Sequence, residues 1–272
     1  MFTAVSKVCC KAAAVARSLL QIQSLTRRFG GVVAADAITL DITADEVHAV
    51  IGPNGAGKTT LIGLLSGEIT PQEGSIRFEG AEITRLPVYR RSMLGLARSF
   101  QITSLFRDFS ALDNVALAVQ AHRGHSFRFW RDARSEDELR QPALAALVRV
   151  GLAERAAVRV DKLSHGEHRQ LEIAMALAMQ PRLLLLDEPM AGMGPEESAQ
   201  MVQMLRQLKG SMTILLIEHD MEAVFALADR LTVLVDGRII ASGHPEAIRG
   251  DAAVRQAYLG EKEGGDPGGR HG

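Results

Sequence analysis

The sequence predicts an α/β fold: a largely parallel sheet covered by helices, with a helical stretch inserted in its middle. Three observations carry this. Short runs at 183–186 and 214–217 are apolar at every position, as strands buried beneath helices on both faces must be. Strand-like and helix-like segments alternate in the first and last parts of the chain. Between them, from about 113 to 160, the apolar spacing is helical.

Each element follows from its residues. LLQIQSLTRRFGG and AITLDITADEVHAVIG alternate or run apolar as strands do, broken at Gly30-Gly31 and at Asp45. After Gly57, KTTLIGLLSGEI has helical spacing, and GSIRFEG is a short strand between glycines. LDNVALAVQAHRG and QPALAALVRVGLAERA are helical. The arginine-rich connector HRGHSFRFWRDAR joins them. Asp132 interrupts it and SEDE follows, so it reads as a solvated loop rather than a basic patch for nucleic acid. Alternation then returns through PRLLLLDEP, PEESAQMVQMLRQLK, MTILLIEHD, MEAVFALAD and RLTVLVDGRII.

With 272 residues, 47% of them hydrophobic, the chain can bury one large core or a core plus a sub-domain. Its formal net charge of −1 argues for neither nucleic acid nor an anionic membrane surface as partner. The cysteines, Cys9 and Cys10, are adjacent, which suits neither a disulfide framework nor a metal site and fits a reducing, cytoplasmic compartment. No apolar run approaches the ~20 residues that cross a bilayer. Lys11 and Arg17 interrupt the apolar N-terminus, so 1–19 is expected to be a poorly ordered extension rather than a cleaved signal. The Gly-rich 261–272 is expected to be a disordered tail.

VIGPNGAGKTT matches G-x-x-x-x-G-K-[ST] through Gly52, Gly57, Lys58 and Thr59. A triphosphate needs several donors at close range, so the backbone from Gly52 through Pro53, Asn54, Gly55 and Ala56 must wrap it. The glycines remove the Cβ atoms that would collide. The N–H groups that open the following helix, at Lys58, Thr59 and Thr60, favour the anion. Lys58 adds a charge to the phosphates, and the Thr59 hydroxyl suits Mg²⁺. Asp187 and Glu188 close a buried strand, where ionised carboxylates need a cation or a network. Asp187 is the expected Mg²⁺ partner, and Glu188 the group that orients and deprotonates an attacking water. Ser164 and Glu167 form an S-x-x-E capping box, with Gly166 leaving the first turn open to a ligand. Since one anion site already exists, this second one points to another chain's nucleotide.

From about 20 to 260 the chain resembles the ATP-binding subunits of ABC transporters. GPNGAGKTT is similar to the Walker A motif, LLLLDEP to Walker B and LSHGE to the signature LSGGQ. Gln101 in SFQITSLF stands where the family has its Q-loop glutamine, a ligand of the metal. His219 in LLIEHDM matches the switch histidine, and Phe29 the aromatic that stacks on adenine. His165 and Glu167 depart from the signature, and Gly194 replaces an aspartate that helps couple two sites. The resemblance implies a P-loop NTPase core with an antiparallel β lobe and an α-helical subdomain inserted at about 102–170. It also implies ATP and Mg²⁺, a second ATPase subunit (the same chain or a paralogue), transmembrane permeases and an external solute-binding protein, at the cytoplasmic face of the membrane. No nucleic-acid partner is implied. LSHGEHRQLEIA, EPMAGMGPEE and AIRGDAAVRQAYLGE look like the subfamily that serves importers of branched-chain and other hydrophobic amino acids, with urea and short-amide importers as close relatives. A soluble ATP-switched module acting on nucleic acid or ribosomes is the competing class. Such proteins usually carry two ATPase domains or a long coiled-coil insertion, and this chain has one set of motifs.

Overall fold

The computed structural model describes residues 18–99, 105–123 and 137–259. Cys9, Cys10, Gln101, most of the arginine-rich connector and the C-terminal tail lie outside them. β1 (Ser18–Phe29) pairs antiparallel with β2 (Val32–Thr43) and with β4 (Glu73–Phe78), and β5 (Ala81–Glu82) completes a four-stranded antiparallel sheet. Ser18 pairs with Thr43, so the strand starts ahead of the expected boundary at residue 20.

The second sheet has six strands. β3 (Val47–Ile51), β6 (Leu96–Arg98), β7 (Leu183–Asp187), β8 (Thr213–Ile217) and β9 (Arg230–Val235) run parallel, and β10 (Arg238–Gly243) pairs antiparallel at the edge. The order is β10-β9-β3-β8-β7-β6. RLTVLVDGRII, expected to continue the alternation, is therefore a hairpin. Its turn residues Asp236 and Gly237 both have positive φ, 47° and 76°, as a tight two-residue turn requires.

Burial explains the strand composition. Leu184 and Leu186 face one core with Ile214 and Leu216, while Leu183 and Leu185 face another with Leu215 and Ile217. Side chains alternate sides along a strand, so a strand covered on both sides must be apolar throughout. Each such side chain contributes about 1.5–3 kcal/mol on burial. The first core is filled by α3 (Ala111–Arg123), α4 (Asp137–Arg149), α5 (His165–Ala178) and α6 (Pro195–Leu208). The second takes α1 (Lys58–Ser66) and the antiparallel sheet. α5 runs past residue 170, so the expected edge of the insertion falls inside a helix. Pro142 within α4 cannot donate to the Glu138 carbonyl, and Arg123 Nη1 supplies that bond at 2.9 Å. The remaining helices are short: α2 (Val88–Met93), α7 (Met221–Leu227), α8 (Pro245–Gly250) and α9 (Ala252–Leu259).

Candidate active site

β3, β8 and β7 are neighbours and parallel, so their carboxyl ends open at one edge of the sheet. Ligands of open parallel sheets bind at that edge. β3 leads into the glycine loop, β7 ends on Asp187 before Glu188, and β8 is followed by Glu218 and His219. Segments far apart in sequence thus meet.

The loop needs its glycines. A Cβ at Gly52 would lie 2.1 Å from the Leu234 carbonyl oxygen, and one at Gly57 would lie 2.2 Å from that of Ala34. Gly57 and Gly55 also have φ of 100° and 81°. Ala56 N donates to the Pro53 carbonyl at 3.2 Å, while the Ala56 carbonyl accepts from Gly237 N at 2.9 Å. Gly237 in turn accepts from Asp36 N, so the β9–β10 turn clamps the loop against β2. Asn54, Gly55 and Thr59 are exposed, and Pro53 and Thr60 half-buried. Lys58 is buried, with Nζ donating to the carbonyls of Gly52 (2.6 Å) and Pro53 (2.9 Å). Gly57 is the N-cap of α1 and supplies no side-chain cap, so no side chain occupies the first N–H groups of the helix.

Asp187 is buried, and burial pushes its carboxyl up. Arg98 opposes that shift, and neighbouring Glu188 adds to it. Arg98 Nη2 donates to Asp187 Oδ2 at 3.2 Å, and its Nη1 reaches Glu68. The Thr59 hydroxyl and the Asp187 carboxylate are the hard oxygen donors that suit Mg²⁺, which takes one or two protein oxygens alongside phosphate. Glu188 has φ of 47°, unusual outside glycine. Its N–H donates to the Ile217 carbonyl at 2.9 Å, and its own carbonyl accepts from Ala191 N at 3.1 Å. Glu188 Oε1 lies 3.9 Å from His219 Nδ1. Glu218 is fully buried, which pushes its carboxyl up, and its backbone partners hold it down.

The other expected residues fall elsewhere. Gln101 lies outside the described residues. Phe29 is 44% exposed at the end of the β1–β2 hairpin, with the Arg27 guanidinium 4.8 Å from its ring centroid. The capping box is present: Ser164 Oγ accepts from Glu167 N (3.2 Å), and Glu167 Oε2 accepts from Ser164 N (2.8 Å). Arg155 also pairs with Glu167, at 2.8 Å. The first turn is not open, however. Glu197 Oε1 accepts from Ser164 Oγ and from Gly166 N, both at 3.3 Å. The reason is electrostatic: the first turn of α6 sets a carboxylate against the positive end of α5. His165 Nε2 lies 3.3 Å from the Ala191 carbonyl, so this departure from the signature rests against the turn that follows Glu188. Among the described residues no hydrogen bond or ion pair joins Ser164 or Gly166 to Lys58, Asp187 or Glu188.

Sequence reasoning missed Arg98, Glu197, Gly237 and Glu218. The Asp236-Gly237 dipeptide is a hairpin signal that was available. Glu218 ends an apolar run just as Asp187 does. Arg98 and Glu197 left no local trace, because their partners lie on other elements.

Comparison with known proteins identifies the family and the fold. The ABC transporter family matches residues 35–191, and the family described as branched-chain amino acid ATP-binding cassette transporter matches 238–264. The chain is 39% identical to the high-affinity branched-chain amino acid transport ATP-binding protein BraF of Pseudomonas aeruginosa, over 91% of this chain and 100% of the relative. It is 36% identical to the corresponding protein LivG of Escherichia coli, with the same coverage of each chain. Among solved structures, the ADP conformation of an ATP-binding cassette of an ABC transporter superposes with a TM-score of 0.80 at 27% identity, covering 90% of this chain and 99% of that one. A nucleotide-free cassette gives 0.78 at 26% identity, with 89% and 99% covered. With a family match over more than half of its length and relatives aligned from end to end, the chain belongs to the ABC transporter family, as an ATP-binding, ATP-hydrolysing subunit.

Proposed function

We propose that this chain powers an importer of branched-chain or other hydrophobic amino acids, with ATP held between two ATPase subunits and hydrolysis driving a membrane permease. The substrate class is supported by what the BraF and LivG proteins are named for and by the C-terminal family match. Docking to permeases at the cytoplasmic face, with an external solute-binding protein, is part of the same reading. No helix among the described residues is long and apolar enough to cross a membrane.

In this reading Lys58 and the loop N–H groups hold the phosphates. Glu188 takes the proton of the attacking water, and His219 donates to the γ-phosphate as charge develops. Mg²⁺, held by Thr59 and Asp187 with Gln101, would supply charge neutralisation across the phosphates. The observation that carries the two-chain part is that Ser164 and Gly166 face the 191–197 segment, while Lys58, Asp187 and Glu188 gather at the sheet edge. A signature that makes no hydrogen bond or ion pair with its own loop among the described residues can serve another copy's nucleotide.

Mixing two inactive chains tests this. Ser164→Arg blocks the helix start, and Lys58→Ala removes the phosphate cation. A mixed dimer has one site with an intact loop facing an intact signature, and one site with both lesions. ATPase activity should return, at no more than about half the parental rate if sites turn over independently. No recovery in mixed dimers verified by tags would refute the shared site. If the cellular partner is a paralogue, the lesions are divided across that pair.

A further inference from the structure

Glu218 has 0% exposure, and a carboxylate removed from water persists only where partners compensate it. Those partners are backbone N–H groups from two segments. Glu218 Oε1 accepts from Met190 N at 2.9 Å, and Oε2 accepts from His219 N at 3.1 Å. Met190 follows Glu188 in the same turn, whose next bond, Ala191 N to the Glu188 carbonyl, is 3.1 Å long. We infer that Glu218 is a positioning residue that fixes Glu188 and His219 relative to one another, by holding both of their loops on one carboxylate.

Simpler roles are already filled. Capping of α7 falls to Asp220, which accepts from Glu222 N and Ala223 N. Pairing of β7 with β8 runs through the strand ladder up to Asp187 and Ile217. Beyond the strand ends, the Glu188 N–H bond to the Ile217 carbonyl and the two Glu218 bonds set the register of these loops. The first fixes the backbone at Glu188. The Glu218 carboxylate ties the turn after Glu188 to the segment bearing His219. The demand is real, because Glu188 sits at a φ of 47°, which a loose turn would abandon. The His219 side chain is 65% exposed and lies 3.7 Å from Glu218 Oε2, so its own packing does not fix it. A carboxyl group offers two acceptor oxygens on one side chain, one for each N–H group, which suits it to this task.

The inference rests on the proposed roles of Glu188 and His219, and the experiment separates the two. Glu218→Gln keeps shape and one acceptor, but turns an amide N–H₂ toward one of the two backbone N–H donors, so the staple is cut on one side. In the full-length chain, kcat should fall on the order of ten- to a hundredfold, the scale of an ångström's misplacement. KM and calorimetric affinity for MgATP, and melting temperature, should stay close to parental. A kcat per binding-competent site equal to the parent's would overturn the inference. So would a fall in kcat matched by equal losses of MgATP affinity or melting temperature, which marks a purely structural group. Should Glu218→Gln fail to fold, Glu218→Asp, whose shorter arm cannot reach both amides, must show the same split. Glu188→Gln and His219→Ala run alongside. If both retain parental kcat, the site reading and this inference fall together. If they lose it while Glu218→Gln does not, the inference alone falls.

Discussion

At Gly57 two constraints coincide, a φ of 100° and the Ala34 carbonyl 2.2 Å from where a Cβ would sit. The obstacle is backbone, so no side-chain rotation relieves it. Gly80 isolates one constraint from the other, having φ of 83° and nothing within 4 Å of an added Cβ. Gly80→Ala should therefore cost only the left-handed strain, about 1–2 kcal/mol, with MgATP binding unchanged. Gly57→Ala should cost more and weaken MgATP binding at least tenfold, since α1 and the loop must part from β2. Urea unfolding and calorimetric titration of the pair check this. Equal effects would mean that dihedral strain alone dictates glycine in the loop.

α5 joins the signature to the core, and it carries a buried acid. Glu172 pairs with Arg169 at 3.1 Å, yet Glu172 Oε1 and Arg169 Nε have no hydrogen-bond partner. Burial pushes the Glu172 carboxyl above 4.5, and Arg169 only partly offsets it. Between 4.5 and that raised value the unfolded chain has released the proton and the folded chain has kept it, so stability falls as pH rises through the window. Glu172→Gln removes this titration. The variant's stability relative to the parent should therefore climb with pH above 4.5 and then level off, read as urea midpoints across a pH series. Asp187 and Glu218 shift in the same direction but are common to both proteins and cancel in the difference. A lost ion pair adds an offset; only a flat difference contradicts the assignment.

For the whole molecule, the question is how a second chain closes on the site. Glu188→Gln keeps the side chain's shape but cannot accept a proton, so it should bind MgATP and accumulate a nucleotide-bound dimer, seen by size-exclusion chromatography with light scattering. In that background Glu197 is informative. Its carboxylate occupies the Gly166 N–H and the Ser164 hydroxyl, the groups that a partner's γ-phosphate would use under the two-chain proposal. Glu197→Gln should lower the MgATP concentration needed for dimerisation several-fold, by removing like-charge competition. A higher requirement would show that Glu197 supports the helix start rather than competing for it.

Local chemistry was legible in the sequence, because its determinants are contiguous. Gly52, Gly57, Lys58 and Thr59 sit in one loop, Asp187 and Glu188 are adjacent, and Ser164 and Glu167 are one helical turn apart. Strand burial was also legible, since a strand covered on both faces has no polar positions to spare. The tertiary structure alone decided which strand lies beside which. The order β3-β8-β7 brings Glu218 and His219 between the loop and Asp187, and no periodicity encodes it. The same holds for Arg98 on Asp187, Gly237 on Ala56 and Glu197 on Gly166. Each of these contacts pairs residues whose local patterns are ordinary, and each exists only because packing the two cores brings distant elements within hydrogen-bond reach.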